Sequence, residues 1–187
     1  MRHETILERD KTVLIVVDIQ EKLLGVYGPP MRARVLTGAR KLMAGAKDLG
    51  LPVLLTEQYP QGLGQTARAV KGMLGDEHKP IEKTDFSCCG DAGFMKALKA
   101  TGRKQALVCG IEAHVCVQQT ALDLRAQGFL VHVCRDAIGS RKREDYKVGI
   151  SRMERAGVVI TTVESAFFEL LENCRGEDFR KILKIVK

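Results

Sequence analysis

Thr12-Val13-Leu14-Ile15-Val16-Val17, closed by Asp18, is the stretch that decides the fold. It is a continuous run of β-branched and aliphatic residues with no apolar–polar alternation. Such a run fits a strand buried on both faces, as in a parallel sheet covered by helices. Downstream of Gly28-Pro29-Pro30, apolar Val35, Ala39, Leu42, Met43, Ala46 and Leu49 recur at spacings of three and four, which makes one helix face. Gly50 stands where a helix C-cap is expected, and residues 51–55 read as the second strand.

The alternation continues along the chain. Residues 57–80 are rich in Gly, Gln and Pro and read as a long loop with a short helix near 66–71. Further strands are expected at 81–83, 105–109, 129–134 and 158–161. Helices are expected at 91–100, 114–127, 143–156, 164–172 and 177–186. This order predicts an α/β fold of three layers: a six-stranded, mostly parallel sheet with helices on both faces. With no linker-like shift in composition and no repeat, residues 1–187 read as a single domain.

Composition narrows the function. The 187 residues carry a formal charge of +7, with 45% hydrophobic and 28% charged residues, which excludes disorder and low-complexity classes. Basic residues exceed acidic ones by 19 to 15 before residue 141 and by 11 to 8 from there on, so the excess is spread out. A diffuse charge with no Trp argues against a dedicated nucleic-acid protein. No apolar run reaches the ~20 residues of a membrane span, and the start lacks the apolar core of a secretory signal. The six cysteines include no C-x-x-C pair and lie mostly among apolar residues, so free thiols in a reducing cytoplasm are expected rather than disulfides, zinc or a redox motif.

In open parallel sheets, sites form beyond the carboxyl ends of the strands. That rule singles out Asp18, the Thr56–Tyr59 turn, Lys83 and the segment after Gly110. Taken singly, Asp18 reads as a turn cap and Lys83 as a surface lysine, while Cys116 reads equally as a small core residue or as an activated thiol. Together, an acid, an ammonium and a thiol at neighbouring strand ends make a nucleophilic site. Cys116 is expected in the first turn of a helix, where unpaired N–H groups and a nearby ammonium would lower its pKa toward the thiolate. His114 lies two residues before Cys116, a spacing at which helical side chains do not face each other, so a Cys–His dyad is not expected.

VVDIQEKLL (16–24), IEKTDFS (81–87) and VCGIEAHVCVQQTALDLRAQGFLVHVCRDAIGSR (108–141) resemble the three motif regions of the isochorismatase-like cysteine hydrolases. The resemblance runs over roughly residues 10–170. LLTEQYPQGLG (54–64) and CGIEAHVCVQ (109–118) are most similar to the branch of isochorismatase domain-containing proteins. The resemblance implies a catalytic triad of Asp18 as base, Lys83 as electrostatic partner and Cys116 as nucleophile. It implies a non-proline cis peptide between Ile111 and Glu112, with the N–H groups of Glu112 and Cys116 forming an oxyanion hole. It further implies a covalent thioester, a small amide, imide or related carbonyl substrate, and self-association into dimers or larger rings.

The departures are equally informative. The metal motif of the nicotinamidase branch is replaced by Thr56-Glu57-Gln58-Tyr59, so neither metal nor cofactor is expected. Gln20, Tyr59, Phe86 and His114 are the expected pocket residues. The stripe Phe167, Phe168, Leu170 and Leu171 reads as core or subunit interface. Cys88 and Cys89 read as packing residues near the pocket wall. The alternatives are a non-catalytic scaffold that retains the fold, and a redox-sensing thiol protein.

Overall fold

The computed structural model describes residues 2–73, 75 and 79–187. The part of the predicted 57–80 loop at Leu74 and Asp76–His78 lies outside them. Six strands, β1 (Thr12–Val17), β2 (Val53–Gln58), β3 (Ile81–Lys83), β4 (Gln105–Ile111), β5 (Leu130–Gly139) and β6 (Val159–Thr161), form one sheet in the order β3-β2-β1-β4-β5-β6. Every neighbouring pair is parallel. The sheet is thus wholly parallel rather than mostly so.

β1 is buried along its whole length and its side chains alternate between two cores. Leu14 and Val16 meet α1 (Glu21–Gly25), α2 (Pro29–Leu49), α8 (Val163–Leu171) and α9 (Gly176–Val186). Val13, Ile15 and Val17 meet α5 (Ala92–Ala100), α6 (Gln118–Ala126) and α7 (Arg143–Arg155) on the other face. Two short helices, α3 (Pro60–Leu63) and α4 (Arg68–Lys71), occupy the region after β2. Among the described residues no helix is long and apolar enough to cross a membrane.

The chain runs outward from β1 to β3, then returns to lay β4 against the other side of β1. That reversal opens a crevice beyond the carboxyl ends of β1 and β4, the place where such sheets bind ligands. Its floor depends on Gly110. This residue has φ +130° and sits in register with Val17, so a Cβ there would run into the Val17 backbone.

Three elements depart from the sequence expectation, and all three shape the crevice. β2 does not end at Leu55 but continues through Thr56, Glu57 and Gln58, which pair with β3 and bury their polar side chains. β5 is ten residues long, not six. Its pairing with β4 shifts between Val108 and Gly110, and the charged Arg135-Asp136 in that irregularity hides the rest of the strand from a hydrophobic pattern. The shift brings Ser140 and Arg141 beside Glu112. Finally, Cys116 lies not in the first turn of an α-helix but in a wide π-type turn, Ala113–Val117, ahead of α6. Val115 N–H and Val117 N–H both donate to the Glu112 carbonyl, at 3.1 and 3.2 Å.

Candidate active site

Asp18 directly follows β1 and has φ +51°, a left-handed conformation that Asp tolerates better than most residues. Its side chain is fully buried at the crevice floor. Lys83 ends β3, two strands away, and reaches back across β2. Its Nζ donates to Asp18 Oδ2 at 2.7 Å, with both side chains completely inaccessible to solvent. The remaining ammonium protons are also engaged, by Gln58 Oε1 at 2.6 Å and by the carbonyls of Asp85 and Phe86 at 3.1 and 3.3 Å. The second Asp18 oxygen accepts from the Thr56 hydroxyl at 2.7 Å. The pair therefore has the full hydrogen bonding that a buried ion pair requires.

Cys116 faces this pair and is 6% exposed. Burial pushes its thiol well above the ordinary cysteine range. The Asp18 carboxylate pushes it further, and the opposing pull of Lys83 does not compensate. The expectation of a thiolate stabilised by a helix terminus is thus overturned. The turn that carries Cys116 is closed on the Glu112 carbonyl, and the Asp18 carboxylate outweighs the Lys83 ammonium in its effect on the thiol. Burial and the neighbouring carboxylate thus both favour the neutral thiol of Cys116. Burial alone would lower the Lys83 ammonium, but Asp18, Cys88 and Cys116 reverse that and raise its pKa.

The Ile111–Glu112 peptide is cis. Glu112 is buried, and its carboxylate meets Arg141 Nε at 3.2 Å and His114 Nδ1 at 3.4 Å. His114 also lies 3.0 Å from Ser140 Oγ, so it is engaged with Glu112 and Ser140. Tyr59 and Phe86 stand 53% and 56% exposed after β2 and β3. Gln20 has no exposed surface and is a clasp rather than a pocket wall: its amide donates to the Gln58 carbonyl at 3.0 Å and accepts from Gln58 N–H at 2.8 Å.

Sequence reasoning singled out the Thr56–Tyr59 turn but not the individual parts of Thr56 and Gln58, and it missed Tyr27. Thr56 and Gln58 sit in a segment that reads as a loop, and only the β2–β3 pairing turns them toward Asp18 and Lys83. Tyr27 is buried with its hydroxyl 3.0 Å from the Gly139 carbonyl, which it donates to. Cys88 is buried behind the pair, 3.7 Å from Thr56 Oγ1, with its thiol pushed up to about 11 by burial and by Asp18. Glu57, beside the position of the nicotinamidase-type metal motif, instead accepts from the Thr66 N–H and hydroxyl at 2.5 and 2.6 Å. Among the described residues, no three His, Cys, Asp or Glu side chains converge as metal ligands would.

An acid, an ammonium and a thiol at the switch point of a 3-2-1-4-5-6 sheet is a specific arrangement, and a family profile for the isochorismatase domain matches residues 12–165. The chain belongs to the isochorismatase family. Isochorismatase domain-containing protein 1 of Salmo salar is 34% identical over 178 residues, covering 94% of this chain and 61% of that protein. This chain therefore spans less than two thirds of that relative. Among solved structures, the MAR1 ribonuclease of Caenorhabditis elegans superposes with a TM-score of 0.90 at 34% identity, covering 97% of this chain and 92% of the other. YcaC of Pseudomonas aeruginosa, with hexane-2,5-diol and covalent acrylamide, gives 0.89 at 26% identity over 99% and 93%. YcaC of Escherichia coli, described as an octameric hydrolase of unknown specificity, gives 0.87 at 26% over 99% and 91%. The chain is thus a member of the isochorismatase-like hydrolase family, whose relatives differ in what they are described as doing.

Proposed function

We propose that the chain is a cysteine hydrolase that cleaves a small amide, imide or related carbonyl compound without a metal. The observation that carries this reading is the buried Asp18–Lys83 pair, closed at 2.7 Å and facing the protonated Cys116 thiol. On this reading Asp18 takes the thiol proton as the sulfur attacks the carbonyl carbon. The developing oxyanion is met by the N–H groups of Glu112 and Cys116. Such a donor typically contributes about 3 kcal/mol to the transition state. Collapse breaks the C–N bond, Asp18 protonates the departing nitrogen, and a thioester remains. Water, deprotonated by Asp18, then attacks the thioester. The acid leaves and the proton returns to sulfur. No metal step enters, because Thr56 and Glu57 already hold Asp18 and Thr66.

The covalent acrylamide on the YcaC relative supports electrophile capture in this fold. The octameric YcaC relative supports a homo-oligomer, which light scattering on the purified protein tests. The six free cysteines suit a reducing cytoplasm. The deciding experiment is turnover of an amide and imide panel by mass spectrometry, with capture of an acyl adduct on Cys116. Turnover that disappears in Cys116→Ala supports the reading, and turnover that survives that substitution refutes it. A ribonuclease reading is favoured by one observation, the MAR1 relative at 34% identity. RNA cleavage insensitive to Cys116→Ala, with no amide turned over, would replace the first reading with the second.

A further inference from the structure

Beyond β5, the start of α7 and the start of α2 enclose a cavity of about 590 Å³. Five of its lining side chains are cationic: Arg34, Arg135, Arg141, Arg143 and Lys147. Two of these charges are answered, Arg141 by Glu112 at 3.2 Å and Lys147 by Glu144 at 2.8 Å. Among the described residues, Arg34, Arg135 and Arg143 meet no carboxylate within ion-pair distance. Of the acids nearby, Asp145 lies 3.8 Å from His114, and Asp136 accepts from the Val163 N–H at 3.0 Å.

Arg34 is positioned rather than free. Its Nη2 donates to the Tyr146 hydroxyl at 2.7 Å and to the Arg135 carbonyl, and its guanidinium lies 5.2 Å from the Tyr146 ring centroid. Its Nε is buried with no protein partner. The half-buried, fixed Arg34 guanidinium, with the exposed Arg135 and Arg143 guanidiniums on the same concavity, offers the planar, multidentate donors that an oxyanion accepts from.

The cavity adjoins the candidate active site on the side of His114 and Glu112, although Asp18, Lys83 and Cys116 do not line it. Tyr27 and Ser140 line it. Ser140 touches His114, and the Arg141 side chain touches Glu112, the residue whose N–H faces the oxyanion in the proposed reaction.

We infer that this cavity is an anion subsite, and that the substrate is a small carbonyl compound whose far end carries a carboxylate or phosphate held by Arg34, Arg135 and Arg143. The catalytic half of this inference rests on the proposed hydrolase reading, whereas anion binding does not. The test is calorimetric titration of the protein in its native assembly with succinate and with inorganic phosphate, and with neutral succinamide as control.

Saturable binding of at least one anion is expected, with none for succinamide. Raising the salt should weaken it, and the Arg135→Gln/Arg143→Gln variant should weaken it roughly ten-fold or more, as expected for exposed charge contacts. Both positions are at the rim, so the variant's fold can be checked by its unchanged melting temperature. Whichever anion binds tighter identifies the terminus. Binding of neither anion, or equal binding by the variant, overturns the subsite. A short oligoribonucleotide that binds through the same arginines and displaces the small anion would overturn the small-molecule assignment.

Turnover separates the two claims. Succinamate hydrolysed with at least ten-fold higher kcat/KM than succinamide, with that preference lost in the double variant, supports the subsite as a substrate site. Anion binding with no amide turned over leaves the subsite standing and removes the hydrolase reading. Equal turnover of both amides with no anion binding does the reverse.

Discussion

Replacing Lys83 with Met keeps the length of the side chain and removes its charge. The pair it belongs to is completely inaccessible to solvent, and Nζ donates to Asp18 at 2.7 Å and to Gln58 at 2.6 Å. Without the ammonium, a buried carboxylate keeps only the Thr56 hydroxyl as a partner among the contacts described. Removing one member of a buried pair typically costs about 3–5 kcal/mol. For a domain of this size that corresponds to a fall in Tm of roughly 6–20 °C. The carbonyls of Asp85 and Phe86 lose their donor too, so the loop after β3 should loosen. Urea denaturation of Lys83→Met, Asp18→Asn and the double variant reads the effect. The double variant should be more stable than the sum of the single losses implies, by about 1–3 kcal/mol, because no unpaired charge is left behind. A loss below about 1 kcal/mol in Lys83→Met, or strict additivity in the double variant, would refute the reasoning that the two charges hold each other in place.

Three other outcomes are expected. Thr56→Val should lose about 1.5–3 kcal/mol of stability, the usual contribution of a hydrogen bond to a charged group, and should lower kcat more than KM. A change confined to KM would remove Thr56 as a positioning residue for Asp18. Stability should be whole below about pH 9 and fall as the pH rises further. Burial raises the thiols of Cys88, to about 11, and of Cys109 above their value in the unfolded chain, so base deprotonates the unfolded chain first. Each such thiol contributes about 1.4 kcal/mol of loss per pH unit above its unfolded pKa. Cys109→Ala should flatten that slope in denaturation curves, and an unchanged slope would show that the thiols are not responsible. Alkylation of Cys116 by iodoacetamide in the free protein should keep rising into the alkaline range. A rate that levels off near neutral pH would mean a preformed thiolate.

The sheet was legible because β1 is apolar at every position and because β-rich and helical runs alternate after it. The positions of Asp18, Lys83 and Cys116 were legible because each stands at or just beyond a strand end. What stayed hidden has a common physical cause. Thr56, Glu57 and Gln58 are buried polar residues in a strand, and their partners Asp18, Thr66 and Lys83 reach them only once β1, β3 and the 64–67 segment are in place. A hydrophobic pattern has no means of marking such residues, since their burial depends on partners far along the chain. The second half of β5 is hidden likewise, by the exposed Arg135 inside its irregularity. The family resemblance supplied the roles of the three site residues, while their hydrogen-bond partners are visible only in three dimensions.

The protonation state of Cys116 follows from counting charge in the crevice. With Asp18 ionised, Lys83 protonated and Cys116 neutral, the buried group carries no net charge. A preformed thiolate beside an ionised Asp18 would leave a net negative charge in a low-dielectric site, which is strongly disfavoured. Moving one proton from sulfur to Asp18 keeps the total at zero and leaves Lys83 facing the new thiolate instead of the carboxylate. The arrangement therefore opposes spontaneous ionisation of the thiol yet permits internal proton transfer. On the proposed mechanism, the carbonyl makes that transfer productive, because negative charge passes on from sulfur to the oxyanion. On that mechanism the ammonium need not give up a proton: Asp18 and Cys116 would exchange a single proton, and Lys83 would supply the constant positive charge that lets either of them be the anion.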